Sequence, residues 1–276
     1  MSSDPASATE FQAESVAQFV TILEGIQKHS GAVLWYQGVG SIDFKLVPSL
    51  YRQHSASRTD ADWRLELEAW LLERFSERSG PFRDGPQPGR QIELLFEMQH
   101  YGVPTRLLDW SENALVALWF AVETHHGADS AVWVMNAPLW NNLVFAQQSG
   151  IKNILSPHSL EIENRQPWAV TSNQFLLEAP TCIYGVHNTK RIVGQRGVFS
   201  LSGRSIEPVE EQSKKLAHAG AIKSTDLLQR IVIPESRRQA IKEQLITLGF
   251  SYSMMFPDMS GLAKELNERL SESGML

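Results

Sequence analysis

One stretch predicts more of the fold than any other: Gln99-His-Tyr-Gly-Val-Pro-Thr-Arg-Leu-Leu-Asp-Trp-Ser-Glu-Asn-Ala-Leu-Val-Ala-Leu-Trp-Phe-Ala121. Gly102 and Pro104 end one predicted helix, and a short extended segment follows over 105–109. Ser111 has the side chain of a helix N-cap, so the next helix is predicted over 112–124. Residues 114–122 are all apolar, which is typical of a helix that other elements enclose. The sequence therefore predicts an extended segment followed by the central helix of the core.

Helical patterns precede this stretch, and strand-like runs follow it. Apolar residues at helical spacing predict helices over 11–26, 60–79 and 91–101, with a buried strand over 32–36. After residue 130, the patterns predict strands over 131–135, 181–186, 197–201 and 228–233, a helix over 234–248, a last strand over 250–256 and a last helix over 260–271. A helix-rich N-terminal half before a strand-rich remainder predicts an α+β fold around a mixed or antiparallel sheet.

Composition indicates one folded domain. The 276 residues are 42% hydrophobic and 20% charged, which excludes disorder for most of the chain. We expect a single domain over 10–272 and a disordered tail over 1–9. The segment 80–89 holds three prolines and three glycines in ten residues, which predicts a surface loop within that domain.

Charge, cysteine content and missing motifs exclude several classes of protein. The net charge of −6 argues against a generally basic nucleic-acid-binding surface, and a single cysteine, Cys182, excludes a disulfide framework and a cysteine-rich zinc site. No apolar run reaches the ~18 residues of a membrane span, and residues 1–10 lack the pattern of a signal peptide. We therefore expect a soluble cytoplasmic protein without a membrane partner. His125 and His126 are adjacent and point apart, and no metal site is expected.

Three segments carry candidate binding groups, each with two interpretations. Arg106 and Asp109 lie in an apolar stretch, so Arg106 either pairs with Asp109 or with the backbone to hold a tight turn, or it faces a ligand. Gly38 either permits close approach of a planar or phosphorylated ligand or simply ends a strand in a turn. Gln195 and Arg196 precede a strand, where they lie either at the rim of a cleft or in an ordinary loop.

Together these segments resemble the FRG domain, a family named for a motif similar to Phe-Arg-Gly. The resemblance covers residues 30–265 and departs at Gln37, where the family has arginine, so this position lacks the charge of a bidentate phosphate contact. The matching segments are Trp35-Tyr-Gln-Gly38, Leu46-Val-Pro-Ser-Leu-Tyr-Arg52, Gln99-His-Tyr-Gly-Val-Pro-Thr-Arg-Leu-Leu-Asp-Trp110, Ala117-Leu-Trp-Phe-Ala121, Gln195-Arg-Gly-Val-Phe199 and Phe256-Pro-Asp-Met-Ser-Gly-Leu262.

The layout of the family is similar to that of ADP-ribosyltransferases, which implies the same fold type and NAD as the substrate. In this chain the resemblance implies that Tyr36 and Tyr101 stack on nicotinamide and that Arg106 holds the pyrophosphate. Gln195 occupies the place of a catalytic glutamate. The implied catalytic residues are Gln195, Arg106 and Asp109, and the implied cofactor-binding residues are Tyr36, Gln37, Gly38, Tyr101, Thr105 and Trp110.

The implied function is transfer of ADP-ribose from NAD to a protein or nucleic-acid acceptor, or NAD hydrolysis, as a cytoplasmic toxin or phage-defence effector with a neutralising or regulatory protein partner. Glutamine cannot act as a general base, so either Asp109 supplies the carboxylate, or the acceptor is already nucleophilic, or the protein is inactive. The alternative function is a catalytically inactive ligand-sensing or protein-binding module. A nuclease is disfavoured by the acidic net charge. The acceptor, the oligomeric state and the pathway stay open.

Overall fold

The computed structural model describes residues 11–54, 61–83, 85–124, 127–146, 153–163, 178–186 and 189–272. The predicted tail over 1–9 and the pair His125 and His126 lie outside these residues. The strands are β1 (Phe11–Gln12), β2 (Leu34–Val39), β3 (Leu107–Ser111), β4 (Ser130–Asn136), β5 (Thr181–Tyr184), β6 (Gly197–Leu201) and β7 (Leu228–Ile233).

Twelve α-helices are described around these strands, together with a 3₁₀ turn over Gly80–Phe82 in the segment expected to be a loop. The helices are α1 (Val16–Ser30), α2 (Ala61–Arg78), α3 (Gln91–His100), α4 (Ala114–Glu123), α5 (Ala137–Val144), α6 (Leu160–Glu163), α7 (Lys190–Gln195), α8 (Val209–Ala219), α9 (Ser224–Leu227), α10 (Glu235–Thr247), α11 (Tyr252–Met255) and α12 (Met259–Glu272).

The described strands form one mixed sheet in the order β1-β7-β4-β2-β3-β6-β5. β1 pairs with β7 in parallel, and every other neighbouring pair is antiparallel. The predicted α+β fold around a mixed sheet is confirmed. β2 runs through Gly38 to Val39, beyond the strand predicted over 32–36, and α7 and α8 were not predicted. Two predicted segments also differ in type. Phe11 and Gln12 pair with β7 and do not start α1, and residues 252–255 form α11 because the Ser251 hydroxyl caps that helix instead of extending a strand.

Side chains alternate across the sheet and fill three cores. On one face, which we call the cavity face, α1, α4 and α10 pack over β7, β4 and β2, while α2, α3 and α7 cover β3, β6 and β5. On the opposite face, α5, α8 and α9 pack against side chains that include Trp35, Trp110 and Met135. The two cores of the cavity face meet above β2 and β3, and the candidate site lies at that junction.

The central helix predicted over 112–124 is confirmed as α4, whose apolar side chains are buried except for the partly buried Ala114, Leu115 and Phe120. Its N-cap is Asn113 and not Ser111: the Asn113 side chain accepts from the Leu115 N–H at 3.0 Å. The Ser111 hydroxyl is used elsewhere, since it accepts from the Asn113 N–H and donates to the Gln195 carbonyl at 2.7 Å. This bond ties the start of α4 to the end of α7.

Within the described part of the chain, no helix is both long enough and apolar enough to span a membrane. The same residues include no group of three or more His, Cys, Asp or Glu side chains placed to hold a metal ion.

Candidate functional site

A cavity of about 220 Å³ opens on the cavity face, between the two cores. Its floor is formed by Tyr36 and Gly38 of β2, Asp109 and Ser111 of β3, and Gly197 and Phe199 of β6. Its walls come from α3, α4 and α7 and include the rings of Phe96 and Phe120. Three adjacent strands thus bring together the three segments that the sequence singled out.

Six of the nine predicted site residues line this cavity, and three do not. Those that line it are Tyr36, Gln37, Gly38, Asp109, Trp110 and Gln195. Arg106, Thr105 and Tyr101 are absent from the lining of the cavity, and each has another place in the fold, as described below.

Gln37 and Trp110 lie in the cavity wall, but strand alternation directs their side chains to the opposite face. The Trp110 indole is buried and donates to the Ser200 hydroxyl at 3.0 Å, so it is a core residue and not a ligand contact. Gln37 lies opposite Trp133 in the sheet, and its buried Oε1 accepts no hydrogen bond from the described residues. The expectation that these two side chains bind a cofactor is therefore corrected.

Gly38 is required by packing within the protein. A Cβ atom at this position would lie 1.9 Å from the Ala117 carbonyl oxygen and 2.7 Å from the Ala121 nitrogen. A Cβ atom at Gly40 would likewise lie 2.2 Å from the Thr124 carbonyl oxygen. The close approach that a glycine permits is thus taken by α4, which lies directly on β2, and neither a ligand nor a turn explains it.

A directed chain of hydrogen bonds orients Asp109. The Leu107 N–H donates to the Thr105 hydroxyl at 3.1 Å, so that hydroxyl in turn donates to Gln99 Oε1. The Gln99 amide is thereby oriented, and its Nε2 donates to Asp109 Oδ2 at 2.7 Å. Among the described residues no donor reaches Asp109 Oδ1. Thr105 is fully buried and positions the carboxylate indirectly, which corrects its assignment as a cofactor contact.

The Asp109 side chain faces the cavity and is exposed to solvent there. Burial raises the pKa of Asp109, while the bond from Gln99 and the charge of Arg191 act in the opposite direction. Because Asp109 is still reached by solvent through the cavity, this upward shift is moderated by water. The site therefore holds a carboxylate that takes up a proton more readily than an ordinary surface aspartate.

Two nitrogen-containing side chains at the cavity, Arg191 and His100, were not among the predicted site residues. Arg191 of α7 lies over the ring of Phe256, 4.7 Å from its centroid, and donates to the His100 carbonyl at 3.4 Å. Burial, and then the charge of Arg191, lower the pKa of His100, while the charges of Asp258 and Glu97 act in the opposite direction. No periodicity marks Arg191, because its place depends on α7 folding back over β6.

Arg106 is buried away from the cavity. Its side chain is 1% exposed, and its Nε lies 3.1 Å from Oε2 of Glu68, which is itself fully buried. Glu68 Oε1 also accepts from the Arg106 backbone N–H at 2.9 Å. Arg106 therefore neither pairs with Asp109 nor lines the cavity, since residues three apart in an extended segment point in opposite directions and a carboxylate of α2 supplies the partner.

Tyr101 is 67% exposed and lines a separate groove with Phe75 and Phe82. It follows the end of α3, and its ring lies edge-on to His100, outside the cavity. The expectation that Tyr101 stacks on a ligand beside Tyr36 is corrected. Aromatic surface at the cavity comes instead from Tyr36, Phe96, Phe120 and Phe199.

Gln195 reaches the cavity but has a structural role. Its Nε2 donates to the Met255 carbonyl at 2.8 Å, and its own backbone carbonyl accepts from Ser111. The side chain thereby holds α11 against α7. Among the residues that line the cavity, Asp109 is therefore the carboxylate available for chemistry.

Comparison with known families shows that residues 32–130 match the FRG domain. This range includes β2, α3, β3 and α4, and so contains Tyr36, Gly38, Gln99 and Asp109. The FRG resemblance is confirmed over this range, and its wider extent to residue 265 stays a prediction. Comparisons with curated proteins and with solved structures find no significant match.

Proposed function

We propose that this chain, whose residues 32–130 match the FRG domain, binds NAD in the cavity, breaks its nicotinamide–ribose bond and transfers ADP-ribose to a macromolecular acceptor. The observation that carries the proposal is Asp109, a carboxylate fixed by Gln99 on the floor of an aromatic-lined cavity. A fixed carboxylate beside aromatic rings suits a flat cationic group such as the nicotinamide ring of NAD.

The chemistry needs few covalent participants. The bond between the ribose carbon and the nicotinamide nitrogen breaks with both electrons passing to that nitrogen, which leaves nicotinamide neutral. Positive charge then develops on the ribose, and the Asp109 carboxylate stabilises it. The oxygen or nitrogen of an acceptor, or of water, bonds to the same carbon and loses its proton to Asp109 or to solvent.

The size of the cavity limits which part of NAD it holds. At about 220 Å³ it is smaller than the ~300–1,000 Å³ of ordinary ligand pockets, so it fits the nicotinamide end of the molecule. Tyr36 also lines an open groove of about 450 Å³ along α1, together with Gln27 and Lys28. We assign the ADP half of NAD to this groove, where Lys28 supplies a positive charge for the pyrophosphate.

The test combines ligand binding with turnover. Calorimetric titration with NAD, ADP-ribose and nicotinamide measures binding, and release of nicotinamide measures bond cleavage. We expect Asp109→Asn to lower the cleavage rate by ~10²–10⁴-fold while keeping the fold, because it removes the charge and preserves the shape. The matched control is Asp43→Asn, an exposed aspartate away from the cavity, which should leave the rate unchanged. Failure of NAD to bind the native protein would overturn the proposal.

A second candidate is a module that binds the ligand without cleaving it. The Gln195 amide is committed to the Met255 carbonyl and cannot act as a base, and this observation favours the second candidate. The same titration separates the two, since this module binds NAD or ADP-ribose without releasing nicotinamide. A toxin or phage-defence role and a neutralising protein partner rest on the family resemblance and are part of the first proposal only.

A further inference from the structure

Arg191 brings a positive charge to the cavity, and no carboxylate of the described residues forms an ion pair with it. Its guanidinium lies 4.7 Å from the centre of the Phe256 ring, and its Nη1 donates to the His100 carbonyl at 3.4 Å. Among the described residues these contacts use one of the five N–H donors of the guanidinium. The remaining donors are available to an anion that enters the cavity.

Arg191 and the groove along α1 lie on opposite sides of Asp109. Asp109 belongs to β3, which lies between β2 and β6 in the sheet. Tyr36 of β2 lines both the cavity and the groove to which the ADP half of NAD is assigned. Arg191 belongs to α7, whose Ile192 packs in the same core as Phe199 of β6. The end of the cavity at Arg191 is therefore left for the group that accepts ADP-ribose.

We propose that the acceptor of ADP-ribose is a carboxylate, such as an acidic side chain of a protein, and that Arg191 binds it in the cavity. This inference rests on the NAD cleavage proposed above. The planar fork of a guanidinium matches the two oxygens of a carboxylate. A carboxylate is already ionised at pH 7, so it attacks without a general base, which the Gln195 amide could not supply.

The step then balances without a proton transfer. One oxygen of the bound carboxylate forms a bond to the ribose carbon, and the product is an ester. The bond from that carbon to nicotinamide breaks with both electrons passing to the nicotinamide nitrogen, so nicotinamide leaves neutral. Asp109 stabilises the positive charge that develops on the ribose, and Arg191 offsets the repulsion between Asp109 and the acceptor carboxylate.

A nucleic-acid phosphate is the less favoured anion for this place. Arg191 is the one lysine or arginine among the described residues that line the cavity, and Asp109 lies at the same cavity. The net charge of −6 also disfavours the approach of a polyanion. A single carboxylate needs only the one guanidinium that the cavity offers.

Partition of ADP-ribose between a carboxylate and water tests the proposal. The full chain is incubated with NAD and N-acetylglutamate N-methylamide, here called capped glutamate, and mass spectrometry measures its ADP-ribosyl ester and free ADP-ribose. We expect an ester that neutral hydroxylamine cleaves, and no adduct on the corresponding capped glutamine. Arg191→Gln should lower the ratio of ester to free ADP-ribose by about tenfold or more, because a charged hydrogen-bonding partner is lost.

Lys190→Gln is the matched control, since it removes an exposed cation of the same helix outside the cavity and should leave this ratio unchanged. Arg191→Lys keeps the charge without the planar fork and should give an intermediate ratio. Circular-dichroism melts check that each variant folds. An unchanged ratio in Arg191→Gln, or an adduct on a short single-stranded oligonucleotide and none on capped glutamate, would overturn the proposal.

Binding of capped glutamate without NAD separates this inference from the proposed function. Ligand-observed NMR should show that the native protein binds it and that Arg191→Gln weakens binding about tenfold. A native protein that releases nicotinamide but neither binds capped glutamate nor forms its ester would overturn this inference alone. Binding through Arg191 without any release of nicotinamide would support the carboxylate site and overturn the cleavage of NAD.

Discussion

At the scale of single residues, Arg106 and Asp109 show how the same short segment serves two purposes. Asp109 points into the cavity, whereas Arg106 points into the protein and forms an ion pair with Glu68. Burial raises the pKa of Glu68, and the Arg106 charge opposes that shift. The ion pair therefore depends on both partners, as buried pairs generally do.

We expect Arg106→Ala to lower the free energy of unfolding by ~3–5 kcal/mol, because it leaves the buried Glu68 carboxylate without its cation. Urea denaturation of the ligand-free protein measures this change. The double variant Glu68→Leu with Arg106→Met should recover part of the loss, because apolar side chains replace the ion pair but the Arg106 backbone N–H loses its acceptor. An Arg106→Ala protein as stable as the native one would show that the pair contributes nothing to stability.

The raised pKa of Asp109 predicts how stability depends on pH. The folded protein binds this proton more tightly than the unfolded chain does, so stability falls as pH rises from the ordinary aspartate pKa of ~3.9 through the higher folded value. Asp109→Asn removes this contribution, and at pH 7 its melting temperature should equal or exceed that of the native protein. Thermal melts of both proteins from pH 3.5 to 8 check the direction of this pH dependence. A melting temperature that falls more steeply with rising pH in Asp109→Asn than in the native protein would contradict the prediction.

At the scale of elements, the contact between α4 and β2 determines the shape of the site. Gly38 brings α4 onto the sheet, and Ala117 and Phe120 of α4 then form one wall of the cavity. We expect Gly38→Ala to destabilise the fold by at least ~1–3 kcal/mol, because its Cβ meets helix backbone that cannot rotate away.

Gly25→Ala is the matched control for this substitution. Gly25 lies within α1 with nothing near its added Cβ, so alanine should stabilise the protein by about 0.5–1 kcal/mol through helix propensity. If packing against α4 explains Gly38, chemical denaturation should give a lower free energy of unfolding for Gly38→Ala and a higher one for Gly25→Ala. Equal and small effects would show that the sheet and α4 separate at little cost.

The hydrophobic pattern of the sequence predicted those helices and strands whose signal is contained within one continuous segment. The apolar run 114–122 identified α4, and alternating apolar runs identified β4, β6 and β7. Arg106 directly precedes β3 and lies three residues before Asp109, so the alternation of side chains along an extended segment directs the two to opposite faces, and the sequence spacing alone contains this distinction. The Glu68 partner of Arg106 and the place of Arg191 were not predictable, because each depends on how distant elements pack. The Asn113 cap was missed although it is a local contact to the Leu115 N–H.

At the scale of the whole molecule, the FRG match and the cavity do not coincide. The matched residues 32–130 supply β2, β3 and α4, but β6 and α7 complete the cavity and lie beyond them. β7 lies between β1 and β4, and β6 covers the free edge of β3, so strands from both halves of the chain alternate in one sheet. The single domain expected over 10–272 stays a prediction, and this order of strands favours it.

We therefore expect the chain to unfold in one cooperative step. Near-UV circular dichroism reports tertiary packing of the tryptophans and far-UV dichroism reports helices, and the two melting curves should coincide. A fragment that ends at residue 130 would leave β2 and β3 as exposed edges and bury too little apolar surface, so it should not fold alone. Two separate transitions would contradict cooperative unfolding. A folded 32–130 fragment that binds NAD would show that the site belongs to the matched segment alone and that residues 190–201 only cover it.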